Sequence, residues 1–131
     1  MTVPPPAPTV CVVDDDPDVL ISLRFLLETE GFSVRTFANG PDLLASRPPS
    51  PGDCLIIDYK MAGMDGLAVT KLLRAKAATQ PLPVLMLTGM TDESSTRAGF
   101  EAGVTDYLTK PFSTPQLTAR IRACLARTHL P

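Results

Sequence analysis

The chain contains little of what several classes of binding site require. It has no tryptophan, five phenylalanines, two tyrosines and one histidine. So few aromatic rings argue against a base-stacking platform for nucleic acid. The single histidine, His129, lies near the end of the chain, a poor position for a catalytic imidazole. The net charge is -2 and no basic run is present, so we expect no direct nucleic-acid binding.

Long apolar runs and cysteine motifs are also absent. No stretch approaches the roughly 20 apolar residues of a membrane span. Met1–Pro8 has neither the basic nor the apolar region of a signal peptide. The three cysteines, Cys11, Cys54 and Cys124, fit no metal-binding spacing. We therefore expect buried thiols in a reducing cytoplasm and no membrane association.

What is present is an ordinary globular composition. The chain has 131 residues, of which 44% are hydrophobic and 20% charged, enough to bury the core of one domain. We expect the Pro-rich residues 1–8 to be disordered or extended, residues 9–127 to form the domain, and residues 128–131 to form a tail. The length leaves no room for a second domain.

Strand-like and helix-like segments alternate five times along this domain. The predicted strands are Thr9–Val13, Phe32–Phe37, Asp53–Ile57, Pro83–Leu87 and Val104–Leu108. The predicted helices run from Pro17 to before Gly31, over Pro41–Ser46, from Gly66 to about Ala78, over Asp92–Ala102, and onward from Ser113. Asp16, Asp65 and Ser113 are the predicted N-caps, the last in a capping box with Gln116.

This alternation predicts an α/β fold. A doubly wound parallel sheet of five strands with helices on both faces follows from it, with the switch point beside the first strand. The second strand alternates polar and apolar residues, as an edge strand does, whereas the first, third and fourth are almost wholly apolar.

Polar residues follow the predicted strands where each strand ends. Asp14–Asp16 follow the first strand, Asp58 the third, Thr88 the fourth and Lys110 the fifth. Taken alone, each is typical of a cap or a turn, and Asp16 is expected to do no more than cap a helix. The carboxyl ends of parallel strands share one edge of the sheet, where ligands bind. Carboxylates, a hydroxyl and an ammonium group there suit a magnesium-dependent phosphoryl site.

The order and spacing of these fragments resemble the receiver domain of bacterial two-component response regulators. The resemblance covers about residues 9–127 and implies a flavodoxin-like (βα)5 fold with the strand order 2-1-3-4-5. The fragments that carry it are Val12–Pro17, Asp58 followed by Met61–Gly66, Thr88, and Asp106–Phe112.

The resemblance implies a role for each matching residue. Asp58 would accept the phosphoryl group, and Lys110 would bind its oxygens. Thr88 would supply the switch hydroxyl, and Tyr107 would be the aromatic side chain that changes rotamer.

The metal site implied by the resemblance is acidic. Asp14 and Asp15 match the acidic pair that holds Mg²⁺ in the family. We expect Asp15 and Asp58 to bind the ion directly and Asp14 to act through water. The backbone carbonyl of Lys60 would be a third protein ligand, which leaves room for the waters that Mg²⁺ tends to retain.

Three residues depart from the common pattern of the family. Ala62 stands where proline is usual and should leave the loop after Asp58 less stiffened. Gly89 follows the switch threonine where alanine is more common, so one side of the pocket should be less covered. Lys60 places a cation near the entrance. We expect these residues to affect the lifetime of the phosphorylated state and not its formation.

The resemblance also implies partners. A sensor histidine kinase or a histidine phosphotransfer protein would donate the phosphoryl group. The face made by the fourth helix, the fifth strand and the fifth helix would then engage a downstream protein. We expect a stand-alone domain, a monomer or weak dimer, whose output is a protein–protein interaction or onward phosphotransfer.

Two other functions are compatible with parts of the pattern. A phosphatase or phosphotransferase could use an aspartyl-phosphate on a similar sheet, but the haloacid-dehalogenase type has a second Asp two residues after its nucleophile, where this chain has Lys60. A phosphate-independent interaction module would not need the complete acidic set.

Overall fold

Five parallel strands form one sheet in the structure, a computed structural model that describes residues 8–50, 52–89 and 93–128. The strands are β1 (Thr9–Val13), β2 (Ser33–Phe37), β3 (Cys54–Asp58), β4 (Val84–Thr88) and β5 (Asp106–Thr109). The helices are α1 (Pro17–Thr29), α2 (Gly40–Ala45), α3 (Gly66–Arg74), α4 (Glu93–Ala102) and α5 (Thr114–Thr128). The strand order is β2-β1-β3-β4-β5, which confirms the predicted topology with β2 at an edge.

The sheet is buried on both faces because its central strands carry apolar side chains in both directions. One face packs against α1 and α5, and the other packs against α2 and α3. Alternate residues of β3 divide between the two cores: Ile56 belongs to the first, while Leu55 and Ile57 belong to the second. All three are fully buried. This burial fixes the register and therefore which side chains emerge where the strands end.

Helix starts match the predicted caps. The Asp16 carboxylate accepts an amide N–H from the first turn of α1 at 2.9 Å, and Asp65 does the same for α3 at 2.9 Å. Before α5, the Ser113 amide donates to Gln116 Oε1 at 2.8 Å, and the Gln116 amide donates to Ser113 Oγ at 3.2 Å. These are the reciprocal bonds of a capping box, and they depend only on residues close in sequence.

The end of α3 differs from the prediction, which placed it at about Ala78. The helix ends at Arg74, and the buried Thr79 hydroxyl donates to the Leu73 carbonyl at 2.7 Å. This bond turns the chain back toward the sheet before the alanine-rich segment can extend the helix. In the last turn of α3, Leu72 is 42% exposed, whereas Leu73 is buried.

Arg74 makes a set of long-range contacts that no pattern in the sequence predicts. Its guanidinium donates from Nε and Nη2 to the Gly103 carbonyl at 3.0 and 2.7 Å, and from Nη1 to the Gln80 carbonyl at 3.0 Å. Gly103 directly follows α4 and has a φ of 107°, a conformation that favours glycine. We call this set of bonds the Arg74 clamp. It fastens the C-terminal end of α4 to α3.

Other boundaries differ from the predictions by one or two residues. The strand β5 begins at Asp106 instead of Val104, and α2 begins at Gly40, capped by Asn39. Thr128, assigned to the tail by sequence, is the last residue of α5. The predicted helix start at Asp92, the Pro-rich residues 1–7 and His129 lie outside the described residues. Within the described part, no helix is both long and apolar enough to cross a membrane.

Candidate functional site

The ends of β3, β4 and β5 converge around Asp58. Lys110 Nζ lies 2.9 Å from Asp58 Oδ1, and the Lys110 amide donates to the Thr88 carbonyl at 2.8 Å. The Asp58 side chain is 12% exposed and that of Lys110 is 39% exposed. A charge-assisted contact of this length places the ammonium group where it can bind oxygens attached to Asp58.

Three carboxylates meet at this edge. Oxygens of Asp14, Asp15 and Asp58 lie within 4.8 Å of one another. Asp14 is buried, and its Oδ1 accepts the Asp16 amide at 2.9 Å. Its Oδ2 has no hydrogen-bond partner among the described residues. Burial raises the pKa of the Asp14 carboxyl, and the negative charge of Asp58 raises it further, against the opposing effect of the Asp16 amide.

This donor set fits a magnesium ion. Carboxylate oxygens are the ligands that Mg²⁺ prefers, and like charges so close together favour a divalent cation between them. The unpartnered Asp14 Oδ2 is an acceptor that a cation or one of its waters would satisfy.

The loop after β3 is joined to the acidic cluster through Ala62, the residue that stands where proline is usual in the family. The Ala62 amide donates to Asp15 Oδ2 at 3.3 Å, and proline at this position could not make that bond. Farther along the loop, the Gly66 amide donates to the Tyr59 carbonyl at 3.0 Å. Ala62 therefore holds the loop by a backbone hydrogen bond, whereas proline would hold it by the rigidity of its ring.

A cavity of about 340 Å³ opens above Asp58. Its lining residues are Asp58, Tyr59, Lys60, Thr88, Gly89 and Lys110. Thr88 is 4% exposed, and a Cβ atom added to Gly89 would meet no described atom within 4 Å. Among the described residues, none covers the cavity on the side of Gly89.

Tyr107 belongs to β5 beside this site, and its side chain extends toward α4. It pairs with Met86 across the sheet, and its hydroxyl reaches the backbone of Gly99 in α4. The Phe100 ring meets it edge-on at 5.2 Å between centroids. Burial raises the pKa of Tyr107, with a smaller contribution from Tyr59. Sequence reasoning missed Gly99, although a glycine inside a helical segment is a signal of close packing.

A larger cleft, of about 610 Å³, lies at the opposite ends of β4 and β5. Arg74 lines it, but its guanidinium is engaged by the carbonyls of the Arg74 clamp. The smaller cavity is therefore the candidate functional site, because the titratable groups converge there.

Comparisons with known proteins agree with this geometry. A family profile, the response regulator receiver domain, matches residues 10–122. The chain is 38% identical over 120 residues to the phosphate regulon transcriptional regulatory protein PhoB of Rhizobium meliloti, a match that covers 92% of this chain and 53% of that protein. It is 40% identical over 121 residues to the transcriptional regulatory protein PrrA of Mycobacterium tuberculosis, covering 92% of this chain and 51% of that one.

Among solved structures, a putative response regulator from Chloroflexus aurantiacus superposes with a TM-score of 0.83 at 40% identity. That match covers 92% of this chain and 99% of the other. The chain belongs to the response regulator receiver domain family of two-component systems. It spans about half the length of the curated relatives it matches.

Proposed function

We propose that this domain accepts a phosphoryl group on Asp58 from a phosphohistidine donor, a sensor histidine kinase or a histidine phosphotransfer protein. The observation that carries the proposal is the contact of 2.9 Å between Lys110 and Asp58 beside a cluster of three carboxylates. An ammonium group and a cation site on either side of one carboxylate suit phosphoryl transfer, which depends mainly on positioning and charge.

In the proposed reaction, an Asp58 carboxylate oxygen attacks phosphorus. A new P–O bond forms at Asp58 while the P–N bond of the donor breaks, and the donor imidazole leaves with the bonding electron pair and takes a proton from solvent. The Lys110 ammonium group then binds a phosphoryl oxygen, and the Thr88 hydroxyl donates to another. Both residues stand at strand ends next to the acceptor, so they need no large movement.

We propose Mg²⁺ as the cofactor. Asp15 and Asp58 would hold it directly, Asp14 through water, and the Lys60 carbonyl would be a further ligand. When bound, it would offset the negative charge gathered between the carboxylates and the phosphoryl oxygens.

We propose that phosphorylation changes the face formed by α4, β5 and α5 through Thr88 and Tyr107, and that this face binds a downstream protein. Phe100 on this face is 49% exposed, and an ion pair of 2.9 Å joins Asp106 of β5 to Arg120 of α5. An apolar ring among charged side chains is suited to a protein partner. We expect a monomer or weak dimer working in the cytoplasm, where phosphohistidine donors act.

The domain is proposed as an acceptor that phosphorylates itself and loses phosphate slowly, not as an enzyme that turns over substrate. A phosphatase of the haloacid-dehalogenase type would carry an acid where this chain has Lys60, which lines the cavity. Release of phosphate from a small monoester in many turnovers would favour that enzyme instead.

The test is to map the label. The protein is incubated with acetyl phosphate and Mg²⁺, reduced with borohydride, and the stable adduct is located by mass spectrometry. We expect the adduct at Asp58 in the wild type and none in Asp58→Asn. Asp16→Asn is the matched control, because asparagine caps a helix as well as aspartate does, and it should label fully. Undiminished labelling of Asp58→Asn would overturn the assignment.

A further inference from the structure

Gly99 forms a gap in the surface of α4 that the Tyr107 hydroxyl occupies. A Cβ atom added to Gly99 would take the same space as that hydroxyl and would also press on the ring. Gly99 itself is buried. We call this gap the Gly99 notch. The Phe100 ring stands at 79° to the Tyr107 ring and holds it from the side.

The backbone of Gly99 does not by itself require glycine. The described glycines with positive φ are Gly31, Gly63 and Gly103, and Gly99 is not among them. Glycine inside a helix is less stable than alanine, because the flexible backbone loses more freedom on folding. The feature that glycine does provide at this position is space for the Tyr107 side chain.

A side chain at position 99 would fill the notch, and the protein could respond in two ways, by a shift of α4 or by a rotation of the Tyr107 ring. The Arg74 clamp opposes the first, since Nη2 of Arg74 binds the Gly103 carbonyl at 2.7 Å directly after the helix. The Gly103 amide also donates to the Phe100 carbonyl at 3.1 Å. Rotation of one partly exposed aromatic side chain meets less resistance than movement of a fastened helix end.

We propose that Gly99 is a positioning residue for Tyr107. The notch holds the phenol ring against α4, and this contact sets the fraction of molecules in which the α4–β5–α5 face has the arrangement described above. This inference rests on the proposed function, because it assigns the control of the proposed switch to a residue outside the phosphoryl site. Any agent that favours one ring position can shift the population only by its difference in affinity for the two positions.

Gly99→Ala should therefore move the Tyr107 ring without any phosphoryl group. The chain has two tyrosines, so ring resonances of selectively labelled tyrosine can be assigned with Tyr59→Phe. In Gly99→Ala we expect the ratio of the two ring positions to change by about tenfold or more. The phenol pKa, raised by burial in the wild type, should fall toward its ordinary value as the ring becomes exposed. Beryllofluoride with Mg²⁺ should then cause little further change in the ring.

Ala98→Gly is the control for helix propensity, because Ala98 is the exposed neighbour of Gly99. It should weaken α4 and leave the Tyr107 resonances in place. Unchanged ring resonances and an unchanged phenol titration in folded Gly99→Ala would overturn the inference.

A second pair of variants keeps the test decisive if Gly99→Ala does not fold. In a Tyr107→Ala background the notch is empty, so adding Gly99→Ala should raise the melting temperature. A fall in that background would overturn the inference, since the clash would then not involve Tyr107.

The two proposals fail separately: a wild type that does not label at Asp58 contradicts the proposed function, whereas a ring that stays in place in Gly99→Ala contradicts the positioning role of the notch.

Discussion

Asp14 has the least favourable environment among the acidic residues of the site. Its carboxylate is 2% exposed, one of its oxygens has no described partner, and Asp58 adds a second negative charge nearby. Burial raises its pKa, so the folded state holds the Asp14 proton more tightly than the unfolded state does. The stabilisation from that proton is present at low pH and is lost as pH rises through the folded-state pKa.

Asp14→Asn should therefore stabilise the metal-free protein at pH 7. We expect the free energy of unfolding to rise by about 1 kcal/mol, the scale of one unsatisfied buried polar group. The gain should disappear at pH values below the ordinary carboxyl pKa of about 4, where the aspartate is protonated in both states. Added Mg²⁺ should stabilise the wild type more than the variant. Urea titrations at several pH values with and without Mg²⁺ measure each difference.

Asp18→Asn serves as the control, because Asp18 lies exposed in the first turn of α1. It should give no gain at pH 7 and leave the response to Mg²⁺ intact. If Asp14→Asn were less stable than the wild type without metal, the ionised carboxylate would not be a cost to the fold.

At the level of elements, the Arg74 clamp joins α3 to the end of α4 across 29 residues of sequence. Arg74→Met keeps most of the aliphatic stem and removes the donors, which leaves the Gly103 carbonyl without this partner. We expect a loss of about 1–2 kcal/mol in the free energy of unfolding. Amide exchange at Val104, which donates to the Gly99 carbonyl at 3.0 Å, should accelerate as the end of α4 loosens.

Arg24→Met is the comparison for this effect. Arg24 pairs with Glu28 at 3.3 Å on the exposed side of α1, so its loss should change stability by less than about 0.5 kcal/mol. Equal effects of the two substitutions would show that Arg74 acts only as a surface charge.

The sequence predicted features that depend on residues close together along the chain. Caps such as Asp16 and Asp65 were predictable because each binds amides within the first turn that follows it. The end of α3 was not predictable, because the bond from the Thr79 hydroxyl to the Leu73 carbonyl and the contact of Arg74 with Gly103 form only after the chain has folded back. The Gly99 notch has the same origin, since it depends on a ring carried by a neighbouring strand.

The placement of the candidate site was predictable for a topological reason. Strand ends of a parallel sheet share one edge, so Asp14, Asp58 and Lys110 had to be neighbours once the strand order was known. The unpartnered oxygen of Asp14 and the bond from Ala62 to Asp15 were not predictable, because they depend on side-chain rotamers and on the path of one loop.

At the scale of the whole molecule, the three cysteines can serve as probes of the opening of both cores, because they are divided between them. Cys11 lies in the core against α2 and α3, and Cys54 and Cys124 lie in the core against α1 and α5. All three are free and at most 1% exposed. Burial raises the pKa of Cys11 to about 11, which further reduces its thiolate fraction.

We expect none of the three thiols to react with an aromatic disulfide reagent at pH 8 while the protein is folded. In increasing urea all three should react together, at rates that follow global unfolding, because each is reached only when its core opens. Mass spectrometry of quenched samples gives the extent at each cysteine. Early reaction of Cys124 alone, independent of urea, would instead reveal local detachment of α5.

The contact between Lys110 and Asp58 joins residues 52 positions apart. During synthesis, Asp58 leaves the ribosome well before its cationic neighbour, and the two meet only after β5 has docked beside β4. A nascent or truncated chain that stops short of β5 would carry Asp58, the proposed acceptor, without the Lys110 ammonium group proposed to bind the transferred oxygens. If Asp58 accepts phosphate as proposed, stable acceptance would require the last strand in place, and incomplete chains would not compete with finished ones for the donor.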